Sequence, residues 1–444
     1  MTYQIYPAGY VPHNKLPPSL LPGGTRFAVS LDSSSAVRMI RHDAWDRVDE
    51  NRLNPSQRAI ELYRLALLAY TADTRIPRRL AFNRWERDIA IHVPVADTGP
   101  WLAVRDGLVD LLSFLTGDHW QIEFFRSTVS RPARNVRKWK RGTSPTTDAV
   151  ALFSGGLDSL IGASEQLAHG TSPLLVGHCD SPGTSAVQSR VFEALKKQYP
   201  TTGSLLQFWV TPPHLFEGEK EGTTRGRSFL FFALGTLVAS GLGREARLVV
   251  PENGFIAVNA PLTSTRLGPL STRTVHPYTV TRYRELLRAL GLPVSLETPY
   301  AFMTKGEMLE GAADQAFLRG SANISMSCAH PTAGRWKKLS PFKHCGRCVP
   351  CIIRRASLHR VGWDKSADYI TNLLTVGSHT ASLEDARAFL TAIERRHTMA
   401  PAVAVLRAGP IPQAAGRVED YASIYARGLD EVEGFLRGRK TRHL

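Results

Sequence analysis

A chain of 444 residues is longer than one ordinary hydrophobic core supports, so two or three domains are expected. Its hydrophobic fraction of 43% supports a globular protein, and no run reaches the roughly 18 apolar residues needed to span a bilayer. The formal charge of +16, from 55 Lys and Arg against 39 Asp and Glu, suits nucleotides, nucleic acid or an acidic protein partner without choosing among them. The most apolar segment, Phe229 to Ala239, fits a buried helix. The opening Met-Thr-Tyr-Gln-Ile-Tyr-Pro has neither the basic nor the apolar region of a secretory leader, and a cytoplasmic location is expected. Five cysteines do not make a disulfide framework at this size, and four of them fall in one C-terminal region, which points to metal.

Residues 1 to 130 mix extended segments such as Asp88-Ile-Ala-Ile-His-Val-Pro with a helical stretch around Leu102 to Phe114, where Leu108, Leu111, Leu112 and Leu115 follow helical spacing. They read as a small α/β domain without recognisable chemistry. From 131 to 146 the composition turns basic, with Arg131, Arg134, Arg137, Lys138, Lys140 and Arg141 among Gly, Ser, Thr and Pro. A solvated linker is one reading of that run, and contact with phosphates or an acidic partner is the other.

Between 147 and 365 short apolar strands alternate with helices. The strands are expected at Ala149 to Phe153, Leu174 to Gly177, Leu206 to Val210, Arg247 to Val250 and Val294 to Glu297. Helices are expected near 158 to 169, 185 to 198, 225 to 241, 281 to 290 and 304 to 313. Such alternation predicts an α/β fold, a parallel sheet with helices on both faces, whose ligands bind beyond the carboxyl ends of the strands. Residues 366 to 444 turn helical: Ser382-Leu-Glu-Asp385 can cap one helix, and Val418, Tyr421, Tyr425, Val432 and Phe435 give another an apolar stripe. The ending Arg437 to Arg442 reads as a solvated basic tail.

The first strand of this region runs into Ser154-Gly155-Gly156-Leu157-Asp158-Ser159 and then a helix. Two glycines let backbone N–H groups approach an anion, the helix start adds unpaired donors and positive dipole, and Ser154 and Ser159 add hydroxyls. Pyrophosphate is the anion this suits. Asp158 would repel phosphate unless it binds a bridging Mg²⁺ or serves as an acid at the helix start. The loop lacks the Gly-Lys-Ser or Gly-Lys-Thr ending of a Walker A motif. It resembles the PP-loop ATP pyrophosphatases, which carry Ser-Gly-Gly-x-Asp-Ser. That resemblance implies a Rossmann-type core and transfer of AMP from ATP to a substrate oxygen.

Cys328 precedes Cys345-Gly-Arg-Cys348-Val-Pro-Cys351, a C-x16-C-x2-C-x2-C spacing. Paired thiolates with a distant fourth ligand hold structural Zn²⁺ in this way, leaving no open position for water. An iron–sulfur cluster would accept the same four ligands. Cys179 stands apart and reads as a half-buried thiol rather than a nucleophile.

Together the loop and the segment Cys345-Gly-Arg-Cys-Val-Pro-Cys-Ile-Ile-Arg354, with Trp363-Asp364, Thr298-Pro299 and Thr304-Lys305-Gly306-Glu307, resemble 7-cyano-7-deazaguanine synthase, the QueC family, over 147 to 365. Thr304 and Glu307 also have the spacing of a helix capping box. The resemblance implies 7-carboxy-7-deazaguanine as substrate, ATP with Mg²⁺, and ammonia as nucleophile. It assigns Ser154 to Ser159, Arg227 and Ser228 to the nucleotide, and lets Lys305 reach phosphate or substrate. Two further segments, Pro251 to Pro261 and Leu270 to Pro277, follow a strand end, so Glu252, Asn253, Asn259, Arg273, Thr274 and His276 are candidates for the substrate pocket. Glu and Asn side chains can bond a guanine-like edge, and Arg273 can pair with a carboxylate.

The family's Tyr-Gly-Gln-x-His segment is replaced by Gly177-His-Cys-Asp-Ser-Pro-Gly183, and both ends of the chain are extended. With these additions the sequence resembles the QueC-like QatC proteins of Qat anti-phage defence systems. The leading expectation is therefore adenylation of a 7-deazaguanine carboxylate followed by amide formation with an amine of a partner protein. The small-molecule nitrile made with ammonia, a PP-loop enzyme acting on nucleic acid, and a non-catalytic subunit are the alternatives.

Overall fold

The computed structural model describes residues 2–10, 23–31, 38–127, 145–219, 221–263, 273–334, 343–375 and 383–437. The basic run Arg131 to Arg141, the cap position Ser382, the tail beyond Arg437 and residues 270–272 lie outside them.

The N-terminal part supplies β1 (Thr2–Pro7), β2 (Thr25–Val29), β3 (Arg41–His42), α1 (Ala44–Glu50), α2 (Gln57–Arg75), β4 (Asp88–Val95), α3 (Thr98–Thr116) and β5 (His119–Arg126). Four of these strands form a wholly parallel sheet in the order β2-β1-β4-β5. The leucines expected on one helical face, Leu108, Leu111, Leu112 and Leu115, are all buried on α3.

The next part runs β6 (Ala149–Leu152), α4 (Leu157–Ala168), β7 (Leu174–Cys179), α5 (Pro182–Gln198), β8 (Leu205–Thr211), α6 (Arg227–Ser240), β9 (Ala246–Val249), α7 (Gly254–Val258), α8 (Pro277–Ala289), β10 (Val294–Glu297), α9 (Lys305–Glu310) and α10 (Gln315–Ser321). Its sheet has the order β10-β9-β6-β7-β8-β3, parallel except for β3, which pairs antiparallel with β8. The chain steps outward from β6 through β7 to β8 and then returns to β9 on the other side of β6. The crevice beyond β6 and β9 is thus the point where strand order reverses, the usual ligand position in such sheets.

Alternate residues of β6 face opposite layers, as the pleat requires. Val150 and Leu152 join the core that contains α6, whereas Ala151 and Phe153 join α4 and α5. α6 and α2 pack against each other between the two sheets, so one apolar core runs from Ile5 through Leu62 and Phe232 to Leu248. No described helix is long and apolar enough to cross a membrane.

The C-terminal part adds α11 (Val349–Arg360), α12 (Glu384–Arg395), α13 (Pro401–Ala408) and α14 (Val418–Arg437). Tyr421, Tyr425, Val432 and Phe435 of the expected stripe are buried, and Val418 is half-buried. α12 begins at Glu384 with Leu383 at its cap position, and Asp385 accepts from the Val349 N–H at the start of α11, 3.0 Å away. α14 is fastened to the start of α9: Glu431 accepts from the Thr304 hydroxyl, and Arg427 donates to Glu307 at 2.7 Å.

Candidate functional site

The turn from β6 into α4 carries no cap of its own. Its N-cap residue is Gly156, and Gly155 sits at φ +78°, where a Cβ would come within 2.9 Å of Val187. Ser154 is exposed and its hydroxyl accepts from Gly156 N–H at 3.3 Å. Buried Ser159 donates to the Gly156 carbonyl at 2.9 Å and lies 3.4 Å from the Ser154 oxygen. The Leu157 N–H is bonded from outside the helix, by Ser327 Oγ at 3.0 Å. The N–H groups of Asp158 and Ser159 have no partner among the described residues, and they head the positive end of α4.

Asp158, at the second position of the helix, is held from two sides. Lys305 Nζ lies 3.0 Å from Oδ1, and Asn253 donates to Oδ2 from its side chain at 2.7 Å and from its backbone at 3.3 Å. Lys305 is 2% exposed, at the first position of α9, where Thr304 and Glu307 form the expected capping box. Asn253 is fully buried and its Oδ1 caps α7 by accepting from Ile256 N–H at 3.0 Å. Both ends of its amide are engaged, so it positions Asp158 and cannot also read a substrate edge. Glu252, half-buried between this group and an adjacent cleft, has its pKa pushed up to about 7. Burial is the larger cause, the charge of Asp158 adds to it, and Lys305 and Arg227 oppose it.

The other expected site residues are distributed differently. Arg227 opens α6, where Gly226 N–H is capped by Asp73 of α2 at 2.7 Å, and its guanidinium meets Asp180 at 3.3 Å. Ser228 and Thr274 share a 2.6 Å hydroxyl contact. Arg273 stacks 4.3 Å from the Phe114 ring centroid and donates to the Phe114 carbonyl at 2.8 Å. His276 is fully buried beside the same ring, its Nδ1 caps α8 through Tyr278 N–H, and burial drives its pKa down to about 3. Arg273 and His276 therefore join α8 to α3 and do not converge on the loop. Asn259 is the left-handed residue that ends α7.

The segment in place of Tyr-Gly-Gln-x-His is packed. Cys179 is fully buried rather than half-buried, donates to Gln188 Oε1 at 3.2 Å, and has its thiol pushed up to about 12 by burial, so it is no nucleophile. His178 lies edge-on to Tyr70 with ring centroids 5.6 Å apart.

Cys328, Cys345, Cys348 and Cys351 bring their sulfurs within 4.8 Å of one another. The 3.8 Å Cys345–Cys351 and 4.0 Å Cys328–Cys348 separations match the edge of a tetrahedron with roughly 2.3 Å zinc–sulfur bonds, about 3.8 Å. Thiolates on an iron–sulfur cluster attach to different irons and stand farther apart. N–H groups of Ala329, His330 and Cys345 point at the sulfurs. Gly346 makes the turn at φ +80°, where a Cβ would strike the Thr371 carbonyl. The four cysteines are compatible with one zinc ion.

Two residues missed in the sequence tie this cluster to the loop. Ser327, which caps Leu157, directly precedes Cys328, and its N–H donates to Nε2 of buried His344, which directly precedes Cys345. Burial, and then Arg354, lower the His344 pKa, so its ring is neutral and Nε2 accepts. Met326 N–H also bonds the Gly155 carbonyl at 2.9 Å, and Arg354 holds Ala322 and Ser325 in place. The only sequence signal for Ser327 and His344 is that each stands next to a ligand cysteine. Comparison with protein-family models, curated proteins and solved structures gave no match.

Proposed function

We propose that the chain is a QueC-like PP-loop enzyme that adenylates a 7-deazaguanine carboxylate and passes the acyl group to an amine of a partner protein in an anti-phage defence system. The observation that carries this reading is Asp158, fixed by Lys305 and Asn253 at a helix start that has no cap of its own and leaves two N–H groups unpaired among the described residues, at the sheet's reversal point. A carboxylate so close to free N–H donors is explained by a ligand carrying both phosphate and a cation.

In the first step an oxygen of the substrate carboxylate attacks the α-phosphorus of ATP. The bond from that phosphorus to the bridging oxygen breaks, and pyrophosphate leaves against the N–H groups of Asp158 and Ser159. Oδ1 of Asp158, which meets only Lys305, keeps lone-pair capacity that suits Mg²⁺, while Oδ2 is engaged by Asn253; that ion would shield the phosphate charge. Lys305, buried and 3.0 Å from Asp158, adds positive charge where negative charge develops. In the second step an amine nitrogen attacks the acyl carbon, AMP departs, and the amine loses a proton. Glu252 Oε is the group to accept it, since a carboxyl with a pKa near 7 is matched to proton transfer at neutral pH.

A protein amine is favoured over free ammonia because the family's ammonia segment is replaced here, with His178 packed on Tyr70 and Cys179 on Gln188, and because the chain is extended at both ends, where a macromolecule could be held. Incubation with ATP, 7-carboxy-7-deazaguanine and candidate partner proteins, followed by intact-mass measurement, tests the whole sequence of steps. The expected result is AMP release with a mass increase on one partner. Release of the free nitrile with ammonia alone would favour the small-molecule synthase, and no AMP in any combination would overturn the proposal.

A further inference from the structure

A cleft of about 430 Å³ opens beside Glu252, between α7, α8, the end of β10 and the start of α14. Its size falls in the range of small-ligand sites, roughly 300–1,000 Å³. One end lies close to the loop, because Glu252, which lines it, directly precedes Asn253, whose amide bonds Asp158 at 2.7 Å. The walls include Phe302 and Tyr421, whose ring centroids lie 5.1 Å apart, and Phe302 is 44% exposed. The remaining polar groups are Arg284, Glu297 and Thr298.

Arg284 is half-buried and ion-paired with no carboxylate among the described residues. Its Nε bonds the Leu296 carbonyl at 2.9 Å and one terminal nitrogen bonds Thr298 Oγ1 at 3.3 Å, which fixes the guanidinium and leaves the other terminal nitrogen for a ligand. Tyr421 and Glu297 line the same cleft. Glu297 reaches Arg247 through Oε2, at 3.7 Å. A cationic donor and a carboxylate acceptor that line one cleft complement an edge that presents a carbonyl beside N–H groups, as a guanine-type ring does. An adenine-type ring would turn its amino group toward the guanidinium and its bare ring nitrogen toward the carboxylate.

Building on the adenylation reading, we propose that this cleft is the base-recognition subsite of the acid substrate. Glu297 accepts from the ring N–H and exocyclic amine, Arg284 donates to the ring carbonyl, and Phe302 and Tyr421 cover the ring face. The carboxylate then points past Glu252 toward Asp158. The C-terminal segment, through Ala415 and Tyr421, is part of the substrate site.

The test is calorimetric titration of the full chain, without ATP, with 7-carboxy-7-deazaguanine, 7-deazaguanine and 7-deazaadenine. The guanine-type bases are expected to bind at least ~10-fold more tightly than the adenine type, the discrimination that a committed polar pair supplies. Glu297→Gln, which loses only a long ion pair with Arg247, should cut that preference by about tenfold, because an amide can no longer accept from both N–H groups. Tyr421→Ala should weaken every base by ~10-fold or more, whereas Tyr421→Phe should bind as the parent does, since stacking on the ring carries the contact. Equal affinity for the two base types, or an unchanged preference in Glu297→Gln, would overturn the assignment. Binding needs no adenylation, so a guanine preference without AMP formation would sink the proposed reaction alone. AMP formation with an indifferent Glu297→Gln would sink the subsite alone.

Discussion

The two parallel sheets differ in how they start their helices. In the first, β4 leads into α3, and Asp97 caps that helix with its own side chain through Gly99 N–H at 3.1 Å. In the second, β6 leads into α4 through Gly156, which has no side chain to cap with, and the Leu157 N–H is met by Ser327 from 170 positions away. α5 and α9, which also start at the carboxyl edge of the second sheet, cap themselves through Ser181 and Thr304. A helix that satisfies its own first turn is finished as structure. A helix whose cap position is glycine, with donors left over and an acid at its second position, is arranged for a ligand.

The widest break in this comparison is expected at the metal centre, because Ser327 and His344 both hang on ligand cysteines. Metal analysis should find one zinc per chain. Cys348→Ser, or chelation, should lower stability by up to the order of 10 kcal/mol, the scale of structural zinc sites, and abolish nucleotide binding with it. Chelated protein that still binds ATP would separate the two halves of the site. A smaller effect is expected from Glu252→Gln. An acid whose pKa rises from 4.5 to about 7 on folding binds more protons folded than unfolded, so stability falls as pH rises between those values. Gln removes that loss, and denaturation at pH 8 should find the variant more stable by about 3 kcal/mol, with no difference below pH 4.5. The smallest effects sharpen the comparison most. Ser327→Ala and Asp97→Ala should each cost about 1 kcal/mol of stability, but only Ser327→Ala should weaken ATP binding in a titration.

Ala149–Leu152 and Leu174–Cys179 of the second sheet were legible as short apolar runs buried on both faces, and Leu205–Thr211 and Val294–Glu297 as runs whose buried positions alternate. α2 was not, although 16 of its 19 residues are buried. It buries Glu61, Arg64 and Asp73, whose charges break the apolar pattern and are satisfied by partners far along the chain. Trp101 Nε1 and Ala96 N–H meet Glu61, while Arg87 and Gly226 meet Asp73. The loop and the cysteine spacing announced themselves through residue type, since glycine next to a strand end and paired cysteines have few other uses. Arg273 and His276 did not reveal their roles, because an arginine on a phenylalanine face and a capping histidine look the same in sequence as residues that meet a ligand. Asn253 was read as a substrate contact, and only its bonds to Asp158 and Ile256 show where its amide is spent.

The central claim is that Asp158 serves phosphate chemistry. It is tested most directly by measuring AMP and pyrophosphate release from ATP, with 7-carboxy-7-deazaguanine present, for the parent, Asp158→Ala and Asp158→Asn. The asparagine keeps the shape and a hydrogen bond to Asn253 while removing the charge. Equimolar AMP and pyrophosphate from the parent, and a fall of about 10²-fold or more in both variants with zinc content and unfolding temperature retained in Asp158→Asn, is the predicted result. Equal release from all three would contradict it.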